Sequence, residues 1–140
     1  MSPENRRLAG ILLIVLPTVV YGGVSILYLM VSDPAYTTNP LRQDFWRAGH
    51  AHAAVLIMLS LILLPYVEAA NLPHHLKVVA RYTTPAAAIL VPAAFFLSVV
   101  SPTAAEPTWV INLAHVGGVV LAIGLIILGV GLLRRPGVNT

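Results

Sequence analysis

Four stretches of this chain contain no Asp, Glu, Lys or Arg: Leu8 to Ser32, Ala48 to Val67, Tyr82 to Ala105 and Pro107 to Leu133. Each is long enough to cross about 30 Å of hydrocarbon as a helix. Composition agrees, because 58% of the 140 residues are hydrophobic and only 9% are charged, too few charges for an ordinary soluble surface. The expected fold is all-α: a single integral membrane domain over residues 1–140, with four helices at about 8–32, 40–70, 76–101 and 107–134. The first stretch is too long for a signal-peptide core and no small-residue cleavage site follows a short one, so it is read as a mature transmembrane helix.

The absence of cysteine removes disulfides, thiolate metal sites, covalent c-type haem attachment and cysteine nucleophiles together. Orientation is read from the eight basic residues, since short cytoplasmic loops are enriched in Lys and Arg. Arg6, Arg7, Lys77, Arg81, Arg134 and Arg135 fall on one side, and only Arg42 and Arg47 on the other. Both termini are therefore expected in the cytoplasm, and the net charge of +3 is topology signal that calls for no nucleic acid. The bacterial cytoplasmic membrane is the expected location.

The connections are short and rich in proline. Asp33-Pro34 and Asn39-Pro40 bracket the first outer loop, and Asn39 with Pro40 behind it reads as a helix cap followed by proline at the first helical position. The second helix is thus expected to start outside the lipid, with Arg42, Asp44 and Arg47 on exposed first turns. Asn71-Leu72-Pro73 makes the inner turn, and Ser101-Pro102 to Glu106-Pro107 the second outer one. The loops leave no room for an extramembrane domain, and they suggest a compact four-helix unit. Pro17, Pro65, Pro85 and Pro92 lie inside helices, while Gly22-Gly23, Gly117-Gly118, Ala122, Gly124, Gly129 and Gly131 permit close helix approach.

Ionisable residues inside a bilayer are costly, so His50 and His52 demand a reason. Successive residues on an α-helix turn by about 100°, which sets these two imidazoles about 200° apart and prevents both from chelating one ion. If one faces its own bundle, the other faces a second bundle, a second subunit or lipid. His115 on the fourth helix and His52 each lie six residues beyond a tryptophan, Trp109 and Trp46, read as outer-interface aromatics, so the two share a depth. The three histidines form a candidate metal-ligating layer. His74 and His75 fall in the solvated inner turn. Glu68, near the cytoplasmic boundary, is a solvated carboxylate within reach of Lys77 or Arg81. Tyr21, Ser25 and Tyr28 serve packing and interface anchoring.

The segment Phe45 to Ser60, with Gly49-His50-Ala51-His52 at its head, resembles the His-x-His helix of the catalytic subunit of haem-copper oxidases and similar segments of short oxidase-subunit-like membrane proteins. In that family the two histidines bind two different haems on opposite helix faces, within twelve helices arranged as three four-helix arcs. The His-x-His of this chain likewise lies on the second helix of a four-helix unit and runs inward from the outer face. The resemblance implies a homotrimer of twelve helices, with a haem taking His50 from one subunit and His52 from the next, and with Arg47 and Arg42 at the haem propionates. The chain departs from the family in lacking an adjacent His-His pair on a following helix and a His-Pro-Glu-x-Tyr-like segment, which tells against a complete oxidase.

The leading expectation is a membrane haem b protein for electron transfer or diatomic gas binding, with a quinol or another electron-transfer partner. Two alternatives use the same residues. One is a copper or zinc site, or a proton relay, in a small channel or carrier built on His50, His52 and His115. The other is an accessory subunit whose histidines only pack.

Overall fold

The computed structural model describes residues 1–134; Arg135, counted above in the charge balance, lies outside them. Five α-helices and one 3-10 turn account for most of the chain: α1 (Pro3–Ser32), α2 (Pro34–Thr37), α3 (Pro40–Ala69), α4 (His74–Ser98), the 3-10 turn Trp109–Ile111 and α5 (Asn112–Leu133). No strand occurs among the described residues. Helices α1, α3 and α4, and the Trp109–Leu133 segment, are long and apolar enough to cross a membrane. Thirty residues, the length of α1 and of α3, span about 45 Å as a helix, so both project beyond the hydrocarbon. The boundaries refine the sequence reading in three places. Helix α1 begins five residues earlier, at Pro3, α4 stops at Ser98, and a short α2 occupies the outer loop.

Local chemistry explains the helix starts. Ser2 caps α1 through the Asn5 amide, Asp33 caps α2 through the Ala35 amide at 2.9 Å, and Asn39 caps α3 through the Arg42 amide at 3.1 Å. Each of these caps is followed by proline at the first helical position, where a missing N–H costs nothing. The Asn39 amide nitrogen also donates to the carbonyls of Pro102 and Ala104, tying the start of α3 to the loop after α4. Pro17, Pro65, Pro85 and Pro92 all sit inside continuous helices.

The arrangement is an open assembly rather than the compact bundle expected from the loops. Helices pack in chain order: α1 on α3, α3 on α4, and α4 on α5. Thr83 and Leu90 meet α5, whereas Pro85 and Ala88 line the groove shared with α1, and these two pairs lie on opposite sides of α4. Helices α1 and α5 therefore flank the α3–α4 pair. The least apolar span is the central one: α4 has a mean hydropathy of 1.3 and is the most buried, while α1, at 2.2, is the least buried. A helix surrounded by protein can carry Thr and Arg, such as the buried Thr84 and Arg81 of α4, that a lipid-facing helix cannot.

The α4–α5 seam is built on a seven-residue glycine repeat. A Cβ on Gly117 would stand 2.6 Å from Val91 Cγ2, one on Gly124 2.7 Å from Thr83 Cβ, and one on Gly131 2.8 Å from Leu72 Cδ1. By contrast, Gly118 and Gly129 face open space. Three of the five α5 glycines are therefore packing devices. Gly118→Ala is expected to leave the unfolding midpoint in detergent unchanged or slightly raised, since alanine is about 1 kcal/mol better than glycine in a helix and meets nothing here.

At the terminus-bearing end a polar lock joins three helices. Buried Asn5 on α1 donates to the Leu64 carbonyl of α3 at 2.7 Å and accepts from Arg81 Nε of α4 at 2.6 Å. Arg81 is thus engaged with Asn5, and Lys77 reaches the main-chain carbonyl of Glu68 at 2.9 Å; neither pairs with the Glu68 carboxylate, which instead accepts from the Ser2 amide. Asn5→Leu leaves the buried Arg81 without its acceptor. A loss of about 3 kcal/mol is expected, read as a lowered unfolding midpoint, and Arg81→Met in the same chain should restore part of it.

Candidate functional site

The N-terminal half of α3 carries both histidines, and the structure separates them as the helix repeat requires. His50 points at α1. Its Nε2 stands 2.9 Å from the position that a Cβ on Gly23 would take, and its Nδ1 stands 3.8 Å from the equivalent position on Gly22. The Gly22-Gly23 pair is therefore a notch that receives an imidazole, not a backbone-to-backbone contact. His50 is half-buried there and has no hydrogen-bond partner among the described residues.

His52 has the opposite character. It is exposed on the surface of the helix assembly, where Ala51, His52 and Val55 line a shallow depression of about 160 Å³. Its Nδ1 lies 2.7 Å from the Ala48 carbonyl, one helical turn back. A carbonyl only accepts, so Nδ1 carries a proton, and in the neutral imidazole the lone pair is then on Nε2. The ring stacks on Phe95 of α4, with centroids 5.1 Å apart and planes 23° from parallel. Phe95 is in turn braced edge-on by Phe45 at 5.6 Å. Gly49 makes this possible, because a Cβ there would strike the Phe95 and Phe96 side chains that pass over it. An oriented imidazole with its free nitrogen turned outward is the arrangement that a ligating histidine needs.

His115 is exposed on α5 and has no hydrogen-bond partner among the described residues. It stands two residues, or about 200°, from Gly117, which faces α4, so His115 lies on the side of α5 turned away from α4. Packing of Gly49 against Phe95 and Phe96, and of Gly117 against Leu90 and Val91, sets His52 and His115 at about the same depth. They share a layer but not a face. Among the described residues no three His, Asp or Glu side chains form a group able to hold a metal ion. Tyr21 and Tyr28 are exposed, and the Ser25 hydroxyl donates to the Tyr21 carbonyl at 2.9 Å. His74 and His75 are exposed in the first turn of α4, at the other end of the molecule.

The two arginines part company. Arg47 is exposed and donates to Asp44 at 2.7 Å and to its own helix at the Gln43 carbonyl. Arg42, expected on an exposed turn, is instead buried, 5% exposed, with Nε donating to the Val99 carbonyl at 3.3 Å. Its guanidinium lies 4.9 Å from the Trp46 ring centre and 5.9 Å from that of Tyr36. Trp46 correspondingly packs inward, edge-on to Phe96 at 5.9 Å, whereas Trp109 is 78% exposed. The short helix α2 accounts for this reversal, because it folds Tyr36 down over the start of α3 and covers the arginine. Sequence reasoning missed this enclosure, since a four-residue helix leaves no periodic signal.

Comparison with known proteins finds no matching family model, no matching curated protein and no matching solved structure.

Proposed function

We propose that this chain is a membrane haem b protein whose axial ligands are His52 and His50, near the outer leaflet of the bacterial cytoplasmic membrane, with both termini in the cytoplasm. The observation that carries the reading is His52: an imidazole locked by the Ala48 carbonyl, stacked on Phe95, with its free nitrogen on an exposed apolar face. The Ala48 carbonyl satisfies Nδ1 within the helix, which leaves Nε2 for a ligand outside it. His50 fits the haem less directly. Its Nε2 faces Gly23, so it becomes a ligand only when the side chain turns out of the notch or α1 moves aside.

Opposed imidazoles imply more than one copy of the chain around each cofactor, and three copies closing into a twelve-helix ring is the arrangement that the oxidase resemblance suggests. The open packing of α1–α3–α4–α5 suits assembly with further copies better than a closed bundle would. Arg47 stands at the rim for a propionate, a role from which burial removes Arg42. A b-type haem held by His52 and His50 would supply one-electron transfer or diatomic gas binding. A quinol or another redox partner is the matching counterpart. The three imidazoles of one chain do not converge, so the copper or zinc alternative also requires several copies.

The test is optical. Protein purified in detergent and reconstituted with haem should show the absorption of a b-type cytochrome and a trimeric native mass. Protein that stays colourless after reconstitution overturns the reading.

A further inference from the structure

Three buried polar atoms without partners occur together where α2 meets the start of α3. They are the Tyr36 hydroxyl, Nη1 of Arg42 and the indole nitrogen of Trp46. Tyr36 is fully buried and Arg42 is 5% exposed. The Tyr36 and Trp46 rings are 5.8 Å apart, and the guanidinium lies over both, so the three groups belong to one enclosed cluster. Its charge is also uncompensated. Asp44, the nearest carboxylate in sequence, is exposed and engaged by Arg47, and Asp33 is spent on capping α2. Among the described residues no carboxylate pairs with Arg42.

Chemistry narrows what completes such a cluster. Guanidinium and indole nitrogens donate only, and burial pushes the Tyr36 hydroxyl above its ordinary range, so it stays protonated and available as a donor. The missing group is therefore an acceptor. Water would satisfy the hydrogen bonds and leave the buried charge unbalanced, whereas an anion does both. The two aromatic faces contribute cation–π attraction but no negative charge, so the buried guanidinium still lacks a counter-ion. Buried unpaired groups in native proteins commonly mark an ordered water or ion. We propose that Tyr36, Arg42 and Trp46 form a binding site for a small inorganic anion of chloride size, which pins α2 onto α3 at the outer end. The site stands apart from His50 and His52 and does not depend on haem.

The experiment compares thermal unfolding of the detergent-purified full chain in chloride, in bromide and in isethionate at equal ionic strength. A saturable rise in midpoint with either halide, absent with the bulky isethionate, is expected. Arg42→Gln should abolish the halide response. Because that variant risks misfolding, Tyr36→Phe, which keeps the ring and removes one donor, provides the second arm and should weaken the apparent halide affinity about tenfold. Crystals grown in bromide should carry an anomalous peak between the three side chains. Equal midpoints in halide and isethionate, an unchanged affinity in Tyr36→Phe, or a site holding only water would each overturn the proposal.

Discussion

His52→Ala is expected to abolish haem retention, whereas His50→Ala should only shift the spectrum. The asymmetry comes from geometry. His52 is pre-oriented, because the Ala48 carbonyl fixes its tautomer and Phe95 fixes its plane, so no rearrangement precedes ligation. His50 must first leave the Gly22-Gly23 notch. Removing the ready ligand takes away the anchor; removing the notched one leaves a haem held on one side, with an altered absorption spectrum and an open coordination position. Visible spectra of both variants after haem reconstitution, with native mass measured in parallel, check this. Equal loss in both variants would refute the asymmetry, and full retention in His52→Ala would refute the role of His52. Phe95→Leu should fall between, since it keeps the apolar volume but loses the stacking plane.

Gly124→Leu should break the α4–α5 seam. Even a bare Cβ at position 124 would overlap Thr83, whose Cβ stands 2.7 Å away and cannot swing aside as the end of a long side chain would. Overpacking of a tight core costs about 1–3 kcal/mol for one or two added carbons, so Gly124→Ala is expected to lower the unfolding midpoint measurably and Gly124→Leu to prevent stable assembly. Thr83→Ala removes the hydroxyl and the methyl that a new Cβ would meet and leaves only its own Cβ. The double variant Gly124→Ala with Thr83→Ala should thus recover only the part of the loss that comes from the hydroxyl and the methyl, because the Cβ of residue 83 stays in place. Additive destabilisation in a double-mutant cycle would show that the two residues do not collide. Set beside Gly118→Ala, on the open side of the same helix, the pair separates the seven-residue seam from glycines that merely suit a membrane helix.

Much of the architecture is legible in the residues themselves. Four uncharged stretches become four helices because lipid-length apolar segments have no other way to satisfy their backbone. Asn39 and Pro40 start α3 because a side-chain acceptor and a fixed φ suit one position each. The divergence of His50 and His52 is equally a property of sequence, since a spacing of two on a helix admits no other outcome.

Helix phase alone does not say which neighbour each face meets. Only tertiary packing assigned His50 to the α1 notch and His52 to the outer surface, because that choice depends on which helix lies beside α3. Packing also buried Arg42 and drew Trp46 inward against it, through a four-residue helix too short to leave a hydrophobic period. It likewise joined Asn5 to Arg81 across 76 positions of sequence, a contact created by the meeting of three helices and absent from any one of them. Local spacing determined the directions of the side chains; the contacts between helices decided what those directions mean.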